Sequence, residues 1–209
     1  MTEKNRFPLD PVVFCAALML ILLGLTMVAS ASIEISARNY DNPFHFVSRH
    51  AVYLIISIDA GALAVVTPMK FWHSLSLPLL FVGFGLLIAV LIPGLGREVN
   101  GSARWISLGF FTVQGSEFLK LFIVVYLAGY LVRVGVTEDT DWRSFVKPLA
   151  IVMVLVFLLL AQPDFGAAVV IMGAVIGVIF LAGAPFKYFM PLLAATVSAG
   201  LLLATLQPY

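Results

Sequence analysis

Glu117 and Lys120 stand three residues apart at the head of the apolar run SEFLKLFIVVYLAGYLV, and on a helix that spacing puts both on one face. At a bilayer centre each charge would cost roughly 2.5–3.5 kcal/mol, so pairing, a wet cavity or nearness to the interface must offset it. Two roles fit: an ion pair that fixes helix packing, or a polar pair lining a substrate cavity. One does not exclude the other. Just upstream, Arg97, Asn100 and Arg104 lie in GREVNGSARW, a stretch rich in Gly, Asn and Ser. The guanidinium fork matches phosphate oxygens bidentately, so this loop could hold a phosphorylated headgroup at a membrane surface. A solvated loop whose arginines meet lipid phosphates fits equally well. Asn100-Gly101 suits a turn, and Trp105 suits an anchor at headgroup depth.

Two further acids stand in apolar surroundings. Asp164 follows Pro163 and precedes a helical run, which suits an N-cap better than catalysis. Gly166, two residues on, would permit close approach of a neighbour. Asp59 lies deep in a second apolar run with no basic residue in its own turn, so it should face the bundle or a cavity. His45, His50 and His73 show no metal-ligand spacing, and no Cys/His cluster, GxSxG, Walker A or GxGxxG pattern occurs. These residues assign no reaction by themselves.

The elements that must carry them are membrane helices. Of 209 residues, 62% are hydrophobic and 11% charged, against about 25% charged in soluble domains. The composition predicts an all-α, polytopic membrane helical bundle, a single domain over residues 1–209. A net charge of +1 gives no electrostatic case for nucleic acid, and the lone Cys15 can form no internal disulfide. Spans are expected at Val12–Ala31, Ala51–Thr67, Leu75–Pro93, Ser116–Val134, Pro148–Ala161 (extended back towards Phe145), Phe165–Ala184 and Tyr188–Leu206. All but the short run at Pro148–Ala161 approach the ~20 residues that a bilayer core requires. The segments between them, Ser32–His50, Met69–Ser74, Gly94–Gly115 and Gly135–Lys147, are expected as loops or turns, and Lys187 as another turn. A cytoplasmic N-terminus puts seven basic residues inside (Lys4, Arg6, Lys70, Arg133, Arg143, Lys147, Lys187) and four outside (Arg38, Arg49, Arg97, Arg104). That orientation puts the arginine loop and the Gln162–Asp164 break on the outer face. No internal repeat supports an inverted-repeat transporter.

In order along the chain, LGLTMVASAS (23–32), GREVNGSARWI (96–106), QGSEFLKL (114–121), QPDFG (162–166) and LAGA (181–184) resemble the motifs of the FtsW/RodA group, the SEDS family. The form of the 96–106 loop favours the division branch over the elongation branch. Gly115 stands where the family has proline, which would loosen entry into the fourth span. Thr112 replaces a common basic residue, and Phe165 a leucine.

The resemblance implies a peptidoglycan glycosyltransferase of the bacterial inner membrane, at the division septum, that polymerises lipid II. It implies a class B penicillin-binding protein and other divisome membrane proteins as partners. It puts Arg97, Asn100, Arg104, Glu117 and Lys120 against the substrate. A divalent cation would suit pyrophosphate chemistry, although no motif here binds one. The family's ten spans and its catalytic aspartate, in the outer loop after span seven, imply that this chain is an N-terminal portion whose base lies beyond Tyr209. A lipid II flippase and a non-catalytic division scaffold are the competing functions.

Overall fold

The computed structural model describes residues 10–99, 102–107, 112–137 and 140–206. They form two compact units, Met1–Pro68 and Met69–Tyr209.

The first unit is a helical hairpin of α1 (Pro11–Tyr40) and α2 (His45–Val66). Asp10 caps α1, its Oδ1 accepting from the amides of Val12 at 2.8 Å and Val13 at 3.4 Å, while Pro11 takes the first helical position, where no amide is needed. At 30 residues and ~1.5 Å per residue, α1 outruns a ~30 Å hydrocarbon core. Residues 32–40 are therefore helix, not the start of the expected Ser32–His50 loop. SIEISARNY loses apolarity without gaining a glycine or proline, and hydropathy marks the edge of the bilayer rather than the end of the helix. The true stop is at 41–44: Asp41 adopts φ 51°, and the Asn42 side chain accepts from the Phe44 amide at 3.0 Å. Tyr40 stacks on His45 with centroids 4.0 Å apart, and Phe46 meets both edge-on.

The second unit contains α3 (Met69–Leu91), α4 (Gly115–Val134), α5 (Arg143–Ala161), α6 (Phe165–Leu181) and α7 (Phe186–Leu206). Between α3 and α4 runs a three-stranded antiparallel sheet, β1 (Gly96–Val99), β2 (Ser102–Ser107) and β3 (Thr112–Gln114), in the order β1-β2-β3. Three expectations change here. Residues 69–74 are the first turns of α3, Lys187 lies in the first turn of α7, and within the expected 94–115 loop residues 96–99, 102–107 and 112–114 are strands of a sheet. The helical bundle thus carries a small β element that periodicity in an apolar chain did not reveal.

In lipid there is no hydrophobic drive between helices, so close packing must hold them. At the α3–α4 contact small residues permit it. A Cβ on Gly129 would lie 2.9 Å from the Ser76 Cβ, and one on Gly83 2.7 Å from the Leu119 side chain. Gly115 is buried where a Cβ would meet Leu86 at 3.3 Å. Gly115 therefore opens α4 in tight contact with α3 rather than loosening it. Buried residues at three- and four-residue intervals complete the core. They are Leu119, Ile123, Leu127 and Leu131 of α4, Val152, Leu155 and Leu159 of α5, and Ile171, Val175 and Ile179 of α6.

Gly135, at φ 66°, closes α4 in the left-handed cap that glycine adopts without penalty. α5 begins five residues before Pro148, at Arg143. Proline has no amide to offer the carbonyl four residues back, and that carbonyl, of Ser144, accepts instead from the Tyr130 hydroxyl at 2.9 Å.

Among the described residues four helices, α1, α2, α3 and α5, are long and apolar enough to cross a membrane, and α6 is a shorter apolar helix. The chain is a polytopic helical membrane protein.

Candidate functional site

Polar side chains from three separate segments of the second unit converge at the sheet end of α4 and α6. Asp164, 6% exposed, is the N-cap of α6, its Oδ1 accepting from the Ala167 amide at 3.3 Å. Its Oδ2 accepts twice from the β3–α4 junction, from the Ser116 hydroxyl at 2.8 Å and from the Gln114 amide at 3.1 Å. The same Gln114 Nε2 also reaches the Ser116 Oγ at 2.9 Å. Two residues before Asp164, buried Gln162 donates its side-chain amide to the Leu87 carbonyl of α3 at 2.8 Å. Buried polar atoms are costly unless paired, and this cluster pairs them across α3, α4 and the α5–α6 break.

Arg104 closes the cluster from β2. Its Nε donates to the Gln162 carbonyl at 3.4 Å and its Nη2 to the Pro163 carbonyl. These carbonyls lie just past the end of α5, where the helix dipole favours a cation. The strand pairings Arg97–Trp105 and Trp105–Gln114 bring Arg97 onto the neighbouring strand of the same sheet. The side chain of Arg97 and the whole of Asn100 lie outside the described residues.

Glu117 and Lys120 follow directly on α4. Lys120 Nζ lies 2.7 Å from Glu117 Oε2, with the side chains 26% and 57% exposed, so the pair stands on the open side of the helix. The acid sits in the first turn, where the helix dipole favours it. Asp59 is exposed on α2 of the other unit. Gly166 is exposed with no atom within 4 Å of where its Cβ would be, so no neighbour approaches there as its sequence position had implied.

The acceptor–donor partners Gln114, Ser116 and Gln162 were not singled out from sequence. They are uncharged, and their one visible signal is that each opens a polar stretch leading into a helix. Among the described residues no group of three or more His, Cys, Asp or Glu could hold a metal ion. At the opposite end of α5 and α6 a cavity of about 190 Å³ opens between Trp142, Phe145, Ile179, Lys187 and Phe189. Its walls are almost wholly apolar, with Lys187 the one charged side chain among the lining residues.

Residues 11–209 match the family of FtsW, RodA and SpoVE, described as cell cycle proteins. A relative from Legionella pneumophila, named a probable peptidoglycan glycosyltransferase FtsW, is 45% identical over 190 residues, covering 91% of this chain and 48% of its own length. Its namesake from Hahella chejuensis is 44% identical over 207 residues, covering 99% of this chain and 52% of its own. The chain thus spans about half the length of the curated relatives it matches. The crystal structure of the rod shape determining protein RodA of Thermus thermophilus is 27% identical with a TM-score of 0.59, over 84% of this chain and 58% of that one. A solved structure described as the structural coordination of polymerization and crosslinking by a peptidoglycan synthase complex is 26% identical with a TM-score of 0.63, over 90% of this chain and 56% of that one.

Proposed function

The chain belongs to the FtsW, RodA and SpoVE family of cell cycle proteins, and from that premise we propose that it forms part of a peptidoglycan glycosyltransferase that polymerises lipid II during septal wall synthesis. The observation that carries the reading is the 45% identity, over 91% of this chain, to a relative named for that activity. In the reaction the 4-hydroxyl of one sugar attacks the anomeric carbon of another, a C–O bond forms, and undecaprenyl pyrophosphate departs with the old bond's electrons. The chemistry needs a base for the hydroxyl proton and cations for the leaving pyrophosphate.

Arg97 and Arg104, carried on strands of the sheet, and Asn100 are assigned to the pyrophosphate. Arg104 already donates to two backbone carbonyls, so its contribution is a fixed positive charge beside the phosphates more than a mobile clamp. Glu117 and Lys120 are assigned to the wall of the substrate cavity below. Asp164 holds the wall in place. The base is assigned to the part of the family's length that these residues do not span. A divalent cation, in this reading, arrives on the pyrophosphate and not on a protein ligand set.

The partner is a class B penicillin-binding protein, which crosslinks the product, together with other divisome membrane proteins, in the bacterial inner membrane at the septum. The peptidoglycan synthase complex among the similar structures supports that pairing. The test is to supply lipid II to the full-length protein in liposomes. Glycan polymer is expected; translocation of lipid II without polymer favours a flippase and removes the proposal. Co-purification with the transpeptidase but no polymer would favour a scaffold and equally remove it.

A further inference from the structure

We propose that Asp164 is a positioning residue whose carboxylate, bonded to Ser116 and Gln114, fixes the first turn of α4 and with it the Glu117–Lys120 pair. The proposal rests on the reading above in one respect, that this pair lines the substrate cavity.

The two oxygens of Asp164 have separate uses. Capping α6 takes only Oδ1, through the Ala167 amide at 3.3 Å. Oδ2 is not needed for the cap, yet it receives both the Ser116 hydroxyl and the Gln114 amide from another helix. α4 depends on those bonds. Gln114 occupies its N-cap position but makes no side-chain capping bond to the helix amides, so the first turn lacks the usual local lock. Glu117 immediately follows Ser116, and Lys120 lies one turn beyond it on the same face. The ion pair cannot fix itself, because an exposed pair contributes only about 0–1 kcal/mol. Asp164 can, because it is buried and its own segment is held twice more, by Gln162 on Leu87 and by Arg104 on the 162 and 163 carbonyls.

Asparagine separates this role from capping. It caps helices as well as aspartate does, but it is uncharged, so the bonds from Ser116 and Gln114 lose the ionised acceptor that makes them strong. In the full-length protein Asp164→Asn is expected to lower kcat for lipid II polymerisation about tenfold, with KM within about twofold, measured well below the variant's lowered melting temperature. Adding Gln114→Glu moves the acceptor to the other partner, and is expected to restore kcat to within about threefold of the parent. Parental kcat in Asp164→Asn, or a double variant no better than the single, overturns the proposal.

A second readout does not require polymerase activity. In a Cys15→Ser background carrying Lys120→Cys, Asp164→Asn is expected to change the rate of alkylation by a membrane-impermeant maleimide about threefold or more, since a freed first turn exposes position 120 differently. A rate indistinguishable from the Asp164 parent overturns the proposal whatever the polymer assay gives. A changed rate, where the full-length parent with Lys120 intact makes no polymer, leaves Asp164 as the positioning residue and removes the glycosyltransferase reading instead.

Discussion

Replacing Arg104 with alanine removes two donors from the carbonyls of Gln162 and Pro163 at the end of α5. Each is a hydrogen bond from a charged group, worth ~1.5–3 kcal/mol when well formed. Two features lower the figure here. The bond to Gln162 is long at 3.4 Å, and the half-buried site lets water reach carbonyls that lose their partner. A loss of ~2–4 kcal/mol is therefore expected from these two bonds. At ~2–4 °C per kcal/mol for a chain of this size, the melting temperature should fall by roughly 4 °C or more. Arg104→Lys keeps the charge but cannot span both carbonyls, so it should recover about half of the loss. The assay is thermal unfolding of the purified protein in detergent, with hydrogen exchange of residues 164–168 alongside. Faster exchange should appear in the first turn of α6, because the Arg104 bonds hold the segment that carries its cap. An Arg104→Ala protein that melts with its parent, with exchange at 164–168 unchanged, would refute the reasoning.

Gly129→Val should destabilise by ~1–3 kcal/mol through overpacking, since a Cβ there lies 2.9 Å from the Ser76 Cβ; Gly173→Ala, with open space around its Cβ, should be neutral or gain up to about 1 kcal/mol in the same melting assay. Tyr130→Phe should cost ~1–2 kcal/mol by orphaning the Ser144 carbonyl. In a Pro148→Ala background, which restores the helix amide, the same change should cost much less, and equal costs in the two backgrounds would remove this account of Pro148. Glu117→Gln should change stability by less than ~1 kcal/mol, as befits an exposed pair, while lowering lipid II polymerisation; a large stability loss with normal activity would make the pair purely structural.

The positions of the helices were legible because long apolar runs allow little else in a bilayer. Their ends were not. α1 continues through Ser32–Tyr40 and α3 begins at Met69 because hydropathy reports the solvent around a helix, whereas glycine, proline and caps report where it stops. The sheet at 96–114 was hidden for a different reason. Its strands are three to six residues long and carry charged, polar and aromatic residues mixed, so they read as a polar loop in a greasy chain.

Within the site, charge drew attention to Glu117, Lys120 and Arg104, and the Pro-Asp pair correctly marked the cap at Asp164. The partners were out of reach. Ser116 and Gln114 meet Asp164 across 48 and 50 residues, and Arg104 meets Gln162 across 58. Nothing local in a sequence records such pairings, and uncharged donors carry no cost in a membrane conspicuous enough to announce them. The structure also changes the sense of Arg104. From sequence it was a phosphate ligand or a solvated cation; in the fold it first binds the chain's own backbone.

The most direct test of the account is to locate the pyrophosphate of a lipid II analogue in a structure of the full-length protein. The account predicts phosphate oxygens beside the sheet that carries Arg97 and Arg104, with the sugar above the Glu117–Lys120 pair. A pyrophosphate seated at the other end of the bundle, beside Arg143 and Lys187, would contradict it.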